Sequence, residues 1–164
     1  MGQHPESVER LEVLYRERYR HFLRVASLIT GEEERAHDAV QEGFAAALRG
    51  RVAYRGEGPG PFEAWVWRAV VNAAKKQHRG PSTIALTTES LPSGENGQAE
   101  GDPALRTWVA SLPERQRLAV YLRYYADLDY HTIAAVLAVK VGTVSATLSA
   151  AHNRLREQLQ EEPQ

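Results

Sequence analysis

Cysteine is absent from the 164-residue sequence, which excludes disulfides, thiolate zinc sites and cysteine nucleophiles together. A large net charge is also missing, because 20 Lys and Arg residues stand against 21 Asp and Glu residues. That balance excludes a polycation that coats nucleic acid by charge alone. No apolar run approaches the roughly 18 residues that a membrane span needs, so we expect a cytoplasmic protein without membrane insertion.

Signatures of enzyme active sites are missing as well. The six His residues are scattered along the chain without the spacing of metal ligands. The Gly-rich stretch 56–60 lacks the Lys-Ser/Thr ending and the preceding strand of a phosphate-binding loop. We therefore expect no enzymatic activity, no metal site and no cofactor.

Composition divides the chain into three segments. Residues 81–103 hold four acidic residues and no Lys or Arg, with three Pro, three Gly and no helical or alternating period. Residues 1–80 carry 13 basic and 11 acidic residues, and residues 104–164 carry 7 basic and 6 acidic residues. We therefore predict two small domains, 1–80 and 104–164, joined by a flexible acidic linker, 81–103.

The first segment is predicted to begin with two helices. Apolar residues recur at three- and four-residue steps from Leu11 to Ile29, which predicts a helix of about five turns. Residues 30–33 (TGEE) have the pattern of a capping box that opens a second helix. The predicted buried face of this second helix is Ala36, Val40, Phe44, Ala47 and Leu48. Its other face carries Asp38, Gln41, Glu42 and Ala45. From periodicity alone, a solvated helix side is the simpler interpretation of that face.

A third helix is predicted to follow a loop rich in Gly and Pro at residues 54–62. It extends from Phe62 to Arg79 and is buried through Val66, Ala69, Val70 and Ala73. Its opposite face carries Trp65, Arg68, Asn72, Lys75, Lys76 and Arg79. Such a face suits a nucleic-acid strand, because cations bind phosphates, an indole stacks on bases and an amide bonds a base edge. An equally good interpretation is that Lys75, Lys76 and Arg79 only complement the helix C-terminus and that both Trp65 and Trp67 are core.

The last segment has the pattern of a helix-turn-helix. A first helix is predicted to follow Asp102-Pro103, and a second to begin at Pro113 and to break at residues 127–129. The last two are predicted to run from Tyr130 to Leu137 and from Val141 to about Leu159. The first carries Leu105, Trp108, Val109 and Leu112, and the last two should supply buried contacts to each other through Ile133, Ala134, Leu137, Val144, Leu148 and Leu155. Asp102 and Asp129 can cap the helices that follow them. A short helix, a tight turn and a longer helix can place a recognition helix in a DNA major groove. A helical hairpin without a DNA role fits the pattern equally well.

Motifs in both domains resemble a known family. Residues 38–44 (DAVQEGF) and 62–72 (FEAWVWRAVVN) resemble region two of a bacterial sigma factor. Residues 112–117 (LPERQR), 129–134 (DYHTIA) and 142–144 (GTV) resemble region four. Their order and spacing are similar to the extracytoplasmic-function (ECF) group of sigma-70-type factors, over about residues 8–159.

The resemblance implies an all-α protein that binds core RNA polymerase, directs it to promoters and opens the −10 element. The residues implied to dock on the polymerase clamp are Asp38, Gln41, Glu42 and Ala45. Those implied to bind −10 DNA are Arg55, Phe62, Trp65, Arg68, Asn72, Lys75, Lys76 and Arg79. The linker matches a connector in the RNA-exit path, where its acids could mimic a nucleic-acid backbone.

The resemblance also implies that residues 104–159 contact the polymerase flap and bind −35 DNA. The residues implied for −35 DNA are Lys140, Thr143, Ser145, Thr147, His152 and Arg154. An anti-sigma factor that wedges between the two halves is a further partner that the flexible linker would allow. The competing hypothesis is a helix-turn-helix regulator that binds duplex DNA without being a polymerase subunit.

The sequence departs from the family pattern at several positions. Ala138 stands where Gly is usual, and Lys140 stands where a Ser N-cap is usual, whose loss costs about 1 kcal/mol. Few cations lie on the last helix, and each lost phosphate contact lowers the salt slope of DNA binding by about 0.9. We therefore expect weak −35 binding of low specificity, unless Ser and Thr read a different sequence at similar affinity. Gly43 replaces the usual Thr and is expected to weaken its helix by about 1 kcal/mol relative to Ala.

Overall fold

The computed structural model of the chain describes residues 5–50, 61–78 and 103–161. The helices are α1 (Pro5–Thr30), α2 (Glu33–Gly50), α3 (Pro61–Gln77), α4 (Pro103–Ala110), α5 (Glu114–Val120), a π-helical segment (Tyr121–Tyr125), α6 (Tyr130–Leu137) and α7 (Val141–Glu161). The prediction of an all-α fold is confirmed. The predicted domain boundaries stay predictions, because residues 79–102 lie outside the described residues.

Helices α1, α2 and α3 pack on one another and form what we call the N-terminal module. Its centre is aromatic: the Phe22 ring stacks on the Trp67 ring with centroids 3.9 Å apart. Phe44 meets Phe22 edge-on, with centroids 5.0 Å apart. Phe22 and Trp67 are fully buried, so this contact ties α1 to α3 directly.

Gly43 allows α2 and α3 to cross closely. A Cβ built at Gly43 would lie 2.6 Å from the Cα of Val70 on α3, which is far inside van der Waals contact. Gly43 therefore has a packing role in addition to its expected effect on the stability of its helix. The residue is buried in the crossing, where no larger residue fits.

Three details of the N-terminal module differ from the sequence prediction. Helix α1 has 26 residues, about seven turns, and is longer than predicted. The capping box does not form in its predicted geometry, because the Thr30 hydroxyl bonds to residue 32 instead of residue 33. It accepts from the Glu32 backbone N–H at 3.4 Å and donates to the Glu32 carbonyl at 2.9 Å. Gly31, with φ of 77°, ends α1 in the left-handed conformation. Leu48 is 40% exposed, whereas a buried position was predicted.

Helices α4 to α7 form what we call the C-terminal module. The predicted cap of α6 is confirmed: the Thr132 backbone N–H donates to Asp129 Oδ1 at 2.7 Å, and this bond lowers the pKa of Asp129. Ala138 follows α6 in the left-handed conformation, with φ of 56° and ψ of 45°. Leu105 is 40% exposed. The π-helical segment, closed by the Ala126 N–H donating to the Tyr121 carbonyl, was also not predicted.

The two modules contact each other in the structure. Helix α3 packs against α6, and α1 packs against the π-helical segment. Arg18 Nη2 donates to the Ala126 carbonyl at 2.6 Å, and the same guanidinium lies 3.4 Å from Glu63 Oε1. Lys75 Nζ lies 3.6 Å from Glu114 Oε1 across the contact. The buried apolar side chains of the two modules consequently form one continuous cluster.

Within the described ranges, no single helix has both the length and the apolar character of a membrane span. Helices α6 and α7 together meet that criterion by length and composition, with a bend of 97° between them.

Candidate functional site

The outer face of α2 carries the residues predicted to bind polymerase. Asp38, Gln41 and Glu42 are exposed, and Ala45 is half-buried beside them. Gln41 Nε2 donates to the Tyr15 hydroxyl at 2.7 Å, so one amide of this face is held by α1. The face therefore presents two carboxylates on a helix whose rotation is fixed by its neighbour.

Aromatic side chains of α1 pack against α2. The Tyr15 ring meets Phe44 edge-on at 5.0 Å and lies 4.9 Å from the Tyr19 ring. The Tyr19 hydroxyl lies 2.6 Å from His37 Nδ1. Burial, followed by the neighbouring Tyr15, raises the pKa of Tyr19, so the phenol stays protonated and can donate to the imidazole. This contact fixes a second point of α2 on α1.

A pocket of about 310 Å³ opens between α2 and α3. Helix α3 lines it with an indole, a guanidinium, an amide and an ammonium group, from Trp65, Arg68, Asn72 and Lys76. Helix α2 lines it with Glu42 and small residues ending at Gly50. Trp65 is half-buried while Arg68, Asn72 and Lys76 are exposed, so a flat apolar wall is joined to a polar and cationic rim.

The other described residues predicted for −10 DNA, Phe62 and Lys75, do not line this pocket. Lys75 is exposed and paired with Glu114 of the C-terminal module. Phe62 is 5% exposed and lies under the guanidinium of Arg10, 4.2 Å from the ring centroid. It is therefore apart from the exposed face of α3. Arg55 and Arg79 lie outside the described residues.

The residues predicted for −35 DNA lie on helix α7, apart from Lys140, which directly precedes it. Lys140, Ser145, His152 and Arg154 are exposed, while Thr143 and Thr147 are half-buried. The Thr147 hydroxyl donates to the Thr143 carbonyl at 2.7 Å, so it is engaged with the helix backbone. The exposed face is short of charge and is built mainly of small polar side chains.

Three residues near this face were missed by the sequence reasoning. Ser149 and Asn153 are exposed at helical spacing from Ser145, and that spacing could have identified them. Tyr124 lies in the π-helical segment, and its hydroxyl is 2.8 Å from His152 Nε2. No sequence signal could have found it, because the contact joins residues 28 positions apart.

The chain is similar to known proteins in both of its modules. Sigma-70 region 2 matches residues 14–82 and Sigma-70, region 4, matches residues 108–157. The ECF RNA polymerase sigma-E factor of Escherichia coli (strain K12) is 32% identical, over 87% of this chain and 83% of that protein. The ECF RNA polymerase sigma factor SigE of Mycolicibacterium smegmatis is 30% identical, over 83% of this chain and 56% of that protein.

Two solved structures share the fold. The structure of CnrH in complex with the cytosolic domain of CnrY has a TM-score of 0.72 at 19% identity, covering 95% of this chain and 91% of that chain. The sigma factor RpoE in complex with the anti-sigma factor NepR from Bartonella quintana has a TM-score of 0.61 at 20% identity, covering 97% of each chain. With a relative at 32% identity along most of both chains and both sigma regions in order, this protein belongs to the ECF sigma factor family.

Proposed function

We propose that this chain is a promoter-specificity subunit that binds core RNA polymerase, directs it to promoters and opens the −10 element, working where the polymerase works, in the cytoplasm. The observation that carries the proposal is the pocket between α2 and α3, lined by Trp65, Arg68, Asn72 and Lys76. The chain itself has no part in bond-making chemistry in this proposal. It is a regulatory subunit.

The pocket has the chemistry that an unpaired base requires. An extruded base loses its stacking and pairing partners, so it needs an aromatic surface and hydrogen-bonding groups in return. Trp65 offers the surface, and Asn72 can bond the N6 and N7 atoms of adenine. Arg68 and Lys76 are exposed at the rim, where the strand backbone would run. We therefore assign the capture of a non-template base of the −10 element to this pocket.

The outer face of α2 is the proposed polymerase contact. Its exposed carboxylates, Asp38 and Glu42, suit a basic surface on the clamp. Glu42 also lines the pocket, so the polymerase contact and the base pocket share one helix. An unpaired DNA strand with a base bound in the pocket would thus lie next to the polymerase.

The exposed face of α7 is the proposed −35 contact. The predicted weakness of this contact is supported by the bond between Thr147 and the Thr143 carbonyl, which must be given up before Thr147 can donate to DNA. The acidic linker is assigned to the RNA-exit path of the polymerase on the resemblance alone.

An anti-sigma factor is the proposed negative regulator. One solved relative of the same fold is described with the anti-sigma factor NepR, and another with the cytosolic domain of CnrY. Both cover at least 95% of this chain, so a partner of that kind would find the same pair of modules here.

Run-off transcription with purified core RNA polymerase across a randomised promoter library tests the proposal. We expect transcripts only when the chain is added, with a selected −10 sequence and weak selection at −35. Asn72→Ala should reduce strand opening more than it reduces polymerase binding. Permanganate footprinting measures the strand opening. Failure of the chain to bind core polymerase, together with binding to duplex DNA alone, would favour a helix-turn-helix regulator instead.

A further inference from the structure

The exposed face of α7 is joined by a side chain from outside the helix. Tyr124 is 57% exposed, and its hydroxyl oxygen lies 2.8 Å from Nε2 of His152. The two ring centroids are 5.8 Å apart, and the rings are tilted by 48°. Because His152 is one of the proposed −35 contacts, Tyr124 is coupled to the DNA-binding face without lying on α7.

The π-helical segment holds Tyr124 in this position. Tyr121 and Leu122 of the segment are buried, and the Tyr125 ring meets Tyr121 edge-on at 6.0 Å. These neighbours anchor the segment in the core and leave Tyr124 on its outer side. π-helical turns are rare and occur frequently at functional sites.

Chemistry decides which partner donates in this hydrogen bond. A phenol is the stronger acid and a neutral imidazole the stronger base, so the favoured arrangement has the Tyr124 O–H donating to His152 Nε2. The hydrogen bond made by one ring nitrogen sets which nitrogen carries the proton. The proton of neutral His152 then lies on Nδ1.

We propose that Tyr124 is a positioning residue for DNA binding, which makes His152 present an Nδ1–H donor to an acceptor atom of duplex DNA. The acceptors available to it are phosphate oxygens and the N7 and O6 atoms of guanine. Without Tyr124 the imidazole could turn an unprotonated nitrogen toward the same atoms, and two acceptors repel each other. This inference rests on the proposed −35 role of α7.

The tautomer of His152 can be measured directly. Long-range ¹H–¹⁵N spectra of the full-length chain at pH 8 should give the Nδ1–H form for His152 in the wild type. In Tyr124→Phe, which removes only an exposed hydroxyl, the Nε2–H form should become populated. The same tautomer in both proteins, or an Nε2–H form in the wild type, would overturn the proposal.

The second measurement is the affinity for duplex DNA. The full-length chain is assembled with core RNA polymerase, and the duplex is one selected from a pool randomised at −35. We expect Tyr124→Phe to bind about three- to tenfold more weakly, the loss of one hydrogen bond. The salt slope should not change, because a neutral donor releases no counterion. His152→Ala should lose at least as much, and the double variant no more than His152→Ala alone.

Tyr125→Phe is the matched control, because it removes a hydroxyl from the same segment, and its affinity should equal that of the wild type. Additive losses in the double variant, or a changed salt slope for Tyr124→Phe, would contradict the positioning role. If the wild-type complex binds no promoter DNA, the proposed function fails and this inference fails with it. If the wild type binds and Tyr124→Phe binds equally well, only the positioning role of Tyr124 is wrong.

Discussion

At residue 43 the packing of two helices leaves no space for a side chain. Overpacking a core usually costs about 1–3 kcal/mol, and Ala brings a gain in helix propensity of about 1 kcal/mol over Gly. The clash involves the backbone of Val70, so we expect the cost to exceed the gain and Gly43→Ala to lower the free energy of unfolding by up to about 2 kcal/mol. Urea unfolding followed by circular dichroism measures the difference.

Gly142 is the control, because it is exposed whereas Gly43 is buried. A Cβ at Gly142, in the first turn of α7, would meet nothing within 4 Å. Gly142→Ala should therefore leave stability unchanged or raise it by up to about 1 kcal/mol. Equal stabilisation by both substitutions would mean that α2 and α3 do not cross as closely as Gly43 and Val70 indicate.

Ala138 is a second residue whose backbone favours glycine, since its φ is 56°. A left-handed conformation costs an L-residue about 1–2 kcal/mol, whereas glycine adopts it freely. We expect Ala138→Gly to raise the free energy of unfolding by about 0.5–1 kcal/mol. Ala135→Gly, at an exposed position inside α6, should lower it by about 1 kcal/mol. A loss of stability in both variants would contradict the left-handed assignment.

At the scale of the element, α2 combines a buried side with a proposed binding side. Asp38 is exposed on the outer side, so Asp38→Ala should not disturb the fold. We expect it to weaken binding to core RNA polymerase by about two- to fivefold, the contribution of one exposed charge pair. Fluorescence anisotropy of the labelled chain at two salt concentrations measures this, and the effect should shrink at the higher one.

Glu17→Ala on α1 is the comparison for Asp38→Ala, because it also removes an exposed carboxylate. It should leave polymerase binding unchanged. Similar losses in the two variants would indicate a general charge effect and would remove the specific role of the α2 face.

At the scale of the whole molecule, charges from both modules act on one titratable group. His21 on α1 is half-buried, and its Nδ1 has no hydrogen-bond partner among the described residues. Burial, and then Arg18 and Arg24, lower the pKa of His21, while Asp127 and Glu63 act in the opposite direction. The folded chain therefore favours the neutral imidazole.

The sign of the pH effect follows from that shift. Well above pH 6.5 the imidazole is neutral in both the folded and the unfolded chain, so it imposes no penalty. As the pH falls below 6.5, the unfolded chain binds the proton more readily and the folded chain loses stability. We expect the unfolding free energy to decrease from pH 7.5 to pH 5.5 by more in the wild type than in His21→Gln. Equal decreases in the two proteins would mean that His21 does not contribute to the pH dependence of stability.

The packed arrangement of the modules also has a consequence for promoter binding. A compact chain of this length has a radius of gyration of about 15 Å. The centres of the −10 and −35 elements are about 25 base pairs apart, which is about 85 Å along B-DNA. If the chain holds both elements at once, as we propose, it cannot do so while α3 packs on α6, and we therefore expect the modules to separate in the promoter complex.

Spin labels can follow this separation, because the chain has no cysteine of its own. We would label Glu17→Cys on α1 and Ala135→Cys on α6, which are both exposed. Electron–electron distance measurements should give a single short distance in the free chain. The distance should lengthen by tens of ångströms when core polymerase and promoter DNA are added. An unchanged distance in an active complex would contradict the need for opening.

The sequence by itself determined the features that depend on neighbours along the chain. The positions of the helices, the Asp129 cap and the limits of α6 follow from periodicity and from bonds that span three or four residues. The family motifs also lie in short continuous stretches, so the two sigma regions were recognisable from sequence alone.

Only the tertiary structure decided the features that join distant residues. The space at Gly43 is set by Val70, the partner of His152 is Tyr124, and the partner of Arg18 is the carbonyl of Ala126. The exposure of Leu48 and Leu105 likewise depends on how whole helices pack. Periodicity assigns a side chain to a helix face, but which face is covered is decided by the helices that pack against it.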